Sequence, residues 1–201
     1  MDFADAAPRD FADAALRDFA RLASTRRTAL PADPDRELSA TALQVLVGLL
    51  STAPNHHKTS PWRVCAVRGH GRRRLGEAFA ADLVVGGRAP EDPKVTAVAR
   101  KYLRAPVVVV VGCESAADAD DTRRREDRDA VAAGVQTLLL GATAAGMSSF
   151  WASPPCSDGA ATRELCGFST STEIAAVIYL GTDEADRVAG DKPPPPTRWV
   201  D

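Results

Sequence analysis

The chain has 201 residues, of which 45% are hydrophobic and 26% charged, and its formal net charge is -2. This length suits one domain with a sizeable core, and the composition excludes a disordered chain. The small net charge gives no general attraction to nucleic acid or to anionic membranes, and no apolar stretch reaches the ~20 residues of a membrane span. The acidic start lacks a basic-then-apolar leader, so we expect a cytoplasmic protein that binds neither nucleic acid nor a membrane.

Four cysteines occur, and none forms a Cys-x-x-Cys pair. Cys65 and Cys113 lie in apolar runs, where a reduced thiol packs as a small hydrophobic side chain. This usage favours a reducing compartment, in agreement with the cytoplasmic expectation.

The N-terminal part begins with a repeated Asp-Phe-Ala pattern. Its apolar residues recur at helical spacing and predict an amphipathic helix over Arg9–Ser24. A second helix is predicted over Pro34–Thr52, and it ends before a proline because the residue that precedes proline disfavours the helical conformation. A polar loop over Asn55–Pro61 then leads into a predicted strand over Trp62–Val67.

The middle of the chain contains the most apolar segments. Helices are predicted over Arg72–Leu83 and Lys94–Leu103. The five consecutive valines of Val107–Val111 predict a central strand, because a strand that is apolar on both faces must be covered on both. A long apolar helix is predicted over Glu126–Ala145, with Gly146 in the position that commonly ends a helix.

The C-terminal part contains a short predicted helix over Ala160–Cys166 and a predicted strand over Glu173–Leu180. The tail Lys192–Trp199 holds four consecutive prolines, so we expect it to be extended and to cross another surface. Helices dominate, with about three strands, and this pattern indicates a layered α+β or α/β domain.

Three segments carry candidate chemistry, and the first is Arg26-Arg27-Thr28 at the C-terminal end of the first helix. Two guanidinium groups and a hydroxyl can together grip a phosphate, because arginine presents a planar fork of donors. The alternative is a helix C-terminus that its dipole enriches in cations.

The second segment is the loop from Ala53 to Trp62, which is dense in donors and bracketed by prolines. A stiff loop of this kind can address the edge of a planar heterocycle, and a solvated loop without a site is the alternative. His56 and His57 invite a metal interpretation, but His70 is the one other histidine and no Cys or His cluster has the spacing of a tetrahedral zinc site. We therefore expect no metal.

The third segment, Gly146–Ala152, follows the long apolar helix. A backbone turn there would bring peptide amides and large aromatic side chains to one place, and core packing is the alternative. Other catalytic motifs are missing. The chain has no Gly-x-Ser-x-Gly and no Walker A sequence, and Gly69-His70-Gly71 lacks the third glycine of a dinucleotide fingerprint.

Taken in order, these segments resemble the nitroreductase family. That family opens with a helix ending in Arg-Arg-Ser, then a second helix, then Ala-Pro-Ser-x-x-Asn-x-Gln-Pro-Trp and a strand; here these are Arg26-Arg27-Thr28 and Ala53–Trp62. Its later half has a long alanine-rich helix, Gly-Leu-Gly-x-x-Trp and a strand closing on Leu-Gly; here these are Ala130–Ala145, Gly146–Trp151 and Ile174–Gly181.

The resemblance implies an α+β fold in which helices flank a mixed central sheet and a homodimer holds FMN at its interface. The domain would span residues 9–188. Residues 1–8 would be an extension that need not be ordered, and the Pro-rich tail, 189–201, would cross to the partner subunit.

The resemblance also implies which residues contact the cofactor. Arg26 and Thr28 would bind the FMN phosphate, with Arg27 nearer the ribityl chain or the ring. The remaining implied contacts are Asn55 and His56 from the partner chain, Phe150, Trp151 and Ala152 on the other side of the ring, and Arg198 near the phosphate.

The activity implied is hydride transfer from NADH or NADPH through the flavin to an electron-poor small molecule, such as a nitroaromatic or a quinone, in a ping-pong scheme. No residue would act as nucleophile or general base, and Arg27 or Lys58 would stabilise negative charge on the reduced ring. Two alternatives stay open: a non-catalytic flavin-binding or sensor protein, and a specialised flavin reductase of deazaflavin coenzyme maturation. The second is favoured by the His-containing loop, in which Lys58 and Ser60 replace the Asn and Gln of the family.

Overall fold

The computed structural model describes residues 11–182, 189–190 and 193–200. Within them lie six α-helices: α1 (Phe11–Thr25), α2 (Ala40–Gly48), α3 (Gly71–Val85), α4 (Pro93–Lys101), α5 (Asp121–Ala144) and α6 (Ala160–Cys166). The four strands are β1 (Trp62–Arg68), β2 (Val107–Cys113), β3 (Met147–Ala152) and β4 (Glu173–Thr182). Single 3-10 turns follow two helices, at Leu49–Thr52 and Tyr102–Arg104.

The strands form one sheet in the order β1-β2-β4-β3, and each neighbouring pair is antiparallel. The α+β class is confirmed. A parallel pairing occurs where Thr28 bridges to Ser149 of the edge strand β3. The four strands themselves are therefore antiparallel rather than mixed, and the parallel component is confined to that bridge.

The valine strand β2 is internal and fully buried, as predicted. Alternate valines point to opposite faces of the sheet. Val107, Val109 and Val111 belong to a core formed with α2 and α5, whereas Val108 and Val110 belong to a second core formed with α3 and α4. The sheet thus lies between two apolar layers.

Two helix starts differ from the prediction, and capping explains both. The helix predicted from Pro34 begins at Ala40, because the Ser39 side chain accepts a hydrogen bond from Ala42 N at 3.4 Å. The helix predicted from Glu126 begins five residues earlier, where the Asp120 side chain accepts from Arg123 N at 2.8 Å.

The predicted turn over Gly146–Ala152 is wrong. Only Gly146 turns the chain, with φ of 68°, and the following residues form β3. Two serines and an exposed tryptophan concealed this strand from sequence analysis, since it lacks the apolar alternation of a half-buried strand.

Three further predictions concern membrane-spanning helices, the cysteines and the tail. No described helix combines the length and the apolarity that a membrane-spanning helix requires. All four cysteines are free. The tail stretch 193–200 forms neither helix nor strand and is exposed, whereas the predicted extension 1–8 lies outside the described residues. The predicted domain boundaries stay predictions.

Candidate functional site

The first and third candidate segments meet at one edge of the sheet. Thr28 pairs in parallel with Ser149 of β3, and Ala29 N donates to the Ser149 carbonyl at 3.1 Å. Arg26 Nη1 lies 3.5 Å from Thr28 Oγ1, so this guanidinium turns toward the same edge. Two stretches that are more than 100 residues apart in the sequence thereby form a single cationic and hydroxyl-rich corner.

The side chains of β3 alternate between the two faces of the sheet. Phe150 packs edge-on against Tyr179, with ring centroids 5.7 Å apart and an interplanar angle of 73°. Burial raises the pKa of Tyr179 to about 12, which keeps its phenol neutral. Phe150 and Ala152 pack on the second core, and Trp151 points to the opposite face with 41% of its surface exposed. Phe150 is therefore a core-packing residue, whereas the side chain of Trp151 is accessible to a ligand.

Ser149 adds a polar group that sequence analysis did not single out. The residue is 1% exposed, and its Oγ has no hydrogen-bond partner in the described part of the chain. Buried hydroxyls are normally hydrogen-bonded, so an orphan beside Thr28 indicates a position where a ligand or water completes the network. In the sequence, the one sign of this polar group is that Ser148 and Ser149 are adjacent in an otherwise apolar stretch.

The chain returns to the arginine pair after β4. Gly190 N donates to the Ser24 carbonyl at 3.0 Å, and a β-carbon on Gly190 would collide with the Arg27 guanidinium. Arg198 is exposed. The structure thus brings Gly190, at the start of the tail, to this corner.

The donor-rich loop is held by its own polar side chains. Asn55 Oδ1 accepts from Ser60 N at 3.0 Å, and Asn55 Nδ2 donates to Thr59 Oγ1 at 3.1 Å. The Thr59 hydroxyl donates to the buried carboxylate of Asp127 in α5. Lys58 and Ser60 both adopt φ of 52°, a conformation that non-glycine residues rarely adopt. The loop is therefore fixed in one shape, and the Asn55 amide is engaged within it.

The two histidines of this loop face α5. Both are exposed, and His57 Nε2 lies 3.0 Å from Glu126 Oε2. Glu126 and Asp127 could not be recognised from the sequence as partners of the loop, because they follow it by about 70 positions and no local spacing signals the contact.

The loop and the arginine pair lie at opposite edges of the sheet. The loop leads into β1 at one edge, and Thr28 lies outside β3 at the other. Four strand spacings of about 4.8 Å separate them, on the order of 19 Å in all. One copy of the chain therefore does not bring these two candidate segments together.

A cavity of about 270 Å³ lies elsewhere, between Asp35, Glu37, Arg68 and Arg72. None of the nine residues implied to contact the cofactor lines it. Arg72 donates to the carbonyls of Pro34 and Ala105, so its guanidinium joins chain segments. This cavity is separate from the candidate site.

Comparison with known proteins decides the family. The sequence model of the nitroreductase family matches residues 23–182, which is most of the chain and includes all three candidate segments. The chain belongs to the nitroreductase family. The resemblance inferred from the sequence is confirmed.

Solved structures of this fold agree. The nitroreductase-like family protein from Bacillus cereus is 24% identical, with a TM-score of 0.72 and coverage of 87% of this chain and 91% of that chain. A nitroreductase with bound FMN from Bacteroides fragilis is 16% identical, with a TM-score of 0.68 and coverage of 90% and 97%. The FMN-dependent nitroreductase NfnB from Mycobacterium smegmatis, in complex with NADPH, is 23% identical, with a TM-score of 0.62 and coverage of 87% and 90%.

Proposed function

We propose that this member of the nitroreductase family is an FMN-dependent oxidoreductase that passes electrons from NADH or NADPH to an electron-poor acceptor such as a nitroaromatic or a quinone. One observation carries the proposal: Arg26, Thr28 and the edge of β3 converge on one corner, although they are distant in the sequence. Similar structures from other organisms hold FMN and NADPH.

The corner fits a flavin phosphate chemically. Arg26 and Arg27 supply two cationic forks, and the hydroxyls of Thr28 and Ser149 supply neutral donors. Arginine forks match phosphate oxygens in pairs, and hydrogen bonds to a charged group are about twice as strong as neutral ones. The orphan hydroxyl of Ser149 is the group that a bound ligand would satisfy.

The edge strand offers a place for a flat ring. The Ser149 carbonyl faces outward to Ala29 N, so the alternation of a strand directs the peptide N–H of Trp151 to the same edge. The exposed Trp151 indole lies beside this donor and gives an apolar wall. Phe150 and Ala152 support the strand from the core, and we assign them an indirect role behind the ring.

A second copy of the chain would complete the site. Asn55 and His56 lie on the far edge of the sheet, so we propose that the partner's loop supplies them. Exposed apolar side chains on α1 and α2 support such an interface: Leu16 and Phe19 are 65% and 55% exposed, and Val45 is 61% exposed. We propose that the tail, with Arg198 and the 86%-exposed Trp199, crosses to that partner.

In the proposed reaction, the protein binds the cofactor and stabilises negative charge. Bound FMN supplies the two-electron chemistry that links a nicotinamide to the acceptor. Arg26, Arg27 and Thr28 hold the phosphate end, and Trp151 excludes water from one face of the site. Arg27 or Lys58 of the partner stabilises negative charge that develops during reduction, as preorganised cations do. The four free cysteines support a reducing, cytoplasmic setting.

An absorption spectrum of the purified full-length protein tests the proposal. We expect flavin bands after loading with FMN, and bleaching by NADH or NADPH that an electron-poor acceptor reverses over many turnovers. A protein that cannot be loaded with FMN contradicts the proposal. Bound flavin without turnover indicates the flavin-binding or sensor alternative, and turnover without activity on nitroaromatics indicates a specialised flavin reductase.

Substitution of Arg26 tests the location of the site. Arg26→Ala removes a charge-assisted contact, so we expect FMN binding to weaken by about 1.5–3 kcal/mol, measured by fluorescence titration. Arg21→Ala is the matched control, because Arg21 lies in α1 shortly before Arg26 and its ion-pair partner among the described residues is the exposed Asp18. Equal affinities of the two variants would show that the phosphate lies elsewhere.

A further inference from the structure

A cluster of three side chains joins the loop to α5. One nitrogen each of His56 and His57 and one carboxylate oxygen of Glu126 lie within 4.8 Å of one another. The two imidazole rings are perpendicular, with centroids 4.4 Å apart. The fold thus supplies the third ligand that the sequence spacing of the histidines lacks.

The distances suit a metal ion. In a tetrahedral site with zinc–ligand bonds of ~2.0–2.1 Å, neighbouring ligand atoms lie about 3.3 Å apart. His57 Nε2 and Glu126 Oε2 are already 3.0 Å apart. Both histidines are exposed, so their rings can reorient toward an ion without disturbing the core.

One carboxylate oxygen of Glu126 lacks a hydrogen-bond donor among the described residues. Its Oε2 atom is buried, and no hydrogen bond of good geometry reaches that atom from the described residues. The His57 contact is an ion pair only when the imidazole is protonated. A carboxylate oxygen in this setting is stabilised by a cation, because buried polar atoms rarely lack a partner.

The neighbouring contacts hold the two elements together in advance. Thr59 of the loop is bonded to Asp127, the residue after Glu126. Arg128, two residues after Glu126, pairs with Glu173 of β4 at 2.6 Å. The ligands are therefore preorganised on two fixed segments.

We propose that His56, His57 and Glu126 bind a divalent transition-metal ion, with Zn²⁺ as the probe and water in the remaining coordination position. Two imidazoles and one carboxylate favour Zn²⁺, Cu²⁺ or Ni²⁺ over Mg²⁺ and Ca²⁺, which prefer oxygen ligands. The ion fastens the loop 53–61 to the first turns of α5. The site shares His56 with the proposed flavin contact, so its tests substitute His57 and Glu126, which the proposed flavin site does not use.

Calorimetric titration of Zn²⁺ into the full-length protein, freed of metal by a chelator and then dialysed, tests the site. We expect one ion per chain. His57→Ala and Glu126→Gln should each weaken Zn²⁺ binding by at least about 100-fold, the upper end of the loss caused by removing a group outside the coordination sphere. His70→Ala is the matched control, because His70 is exposed and lies outside the cluster, and it should bind as the unmodified protein does.

Thermal unfolding with chelator or Zn²⁺ separates binding from folding. In chelator, His57→Ala and Glu126→Gln should unfold at the same temperature as the unmodified protein. With Zn²⁺, the unfolding temperature should rise for the unmodified protein and for His70→Ala, but not for the two ligand variants. Zn²⁺ binding that survives both ligand substitutions, an equal loss in His70→Ala, or no binding at micromolar Zn²⁺ overturns the proposal. Zinc binding without FMN binding, or the reverse, overturns one proposal and leaves the other standing.

Discussion

The strand β2 and the loop 53–61 are built in opposite ways. Every residue of β2 is buried, and its valines serve two apolar cores. The loop is mostly exposed and keeps its shape through Asn55, Thr59 and the buried carboxylate of Asp127. The strand would hold its place with almost any apolar sequence of similar volume, whereas the loop depends on a few particular hydrogen bonds.

The difference separates stability from function. A fully buried valine contributes about 1.5–3 kcal/mol, whereas one hydrogen bond contributes about 0.5–1.5 kcal/mol net. The sheet therefore supplies a rigid support whose stability does not depend on any single hydrogen bond. The loop and the Arg26–Thr28 corner lie at its two edges, where changes in polar residues alter binding while the fold survives.

The largest expected effect is in the core. Leu138 of α5 is fully buried in the layer that covers β2. Leu138→Ala should lower the free energy of unfolding by about 2–5 kcal/mol in urea titration, because it removes buried surface and leaves a cavity. Val85→Ala, at an 88%-exposed position, is the control and should change it little. Similar losses in both variants would contradict the assignment of stability to the covered sheet.

An intermediate effect is expected where the loop joins α5. Asp127→Ala removes the acceptor of the Thr59 hydroxyl, so we expect about 1 kcal/mol less stability but clearly faster amide hydrogen exchange in residues 55–60. Asp129→Ala, exposed on the same helix, should leave the exchange unchanged. Unchanged exchange in Asp127→Ala would mean that the backbone alone holds the loop.

The smallest effect is expected at a thiol pair beside the second core. The Cys166 thiol donates a hydrogen bond to Cys65 of β1 and lowers the pKa of Cys65, against the opposing effect of burial. Cys166→Ala should therefore raise that pKa and slow alkylation of Cys65 near neutral pH, followed by mass spectrometry across a pH series. Cys166→Ser keeps a donor and should show a smaller shift; identical profiles for all three proteins would refute the hydrogen bond.

The apolar part of the fold could be predicted from the sequence. Five consecutive β-branched valines favour a strand that is buried on both faces, and such a strand is central. Strands were also predicted over Trp62–Val67 and Glu173–Leu180, and the strand order makes them its two neighbours. The edge strand β3 could not be predicted in this way. It pairs with β4 and Thr28, which are distant in the sequence. Its two serines are buried, although serines at such positions are typical of a loop.

The candidate site divides along the same line. The arginine pair and the histidine loop were apparent because each is a dense local run of donors. Glu126 and the orphan hydroxyl of Ser149 were not, since an isolated glutamate or serine acquires a role only through what the fold brings next to it. The separation of loop and corner by the width of the sheet likewise requires the strand order.

The central claim is that two copies of the chain share each flavin, with Arg26 from one and His56 from the other. Mixed dimers test it most directly, in the presence of a chelator so that metal binding plays no part. Arg26→Ala and His56→Ala homodimers should each bind FMN weakly. Co-refolding the two should restore one unaltered site per heterodimer and recover tight FMN binding in a fraction of the dimers. Tight binding that never returns on mixing, although heterodimers form, would contradict the shared site.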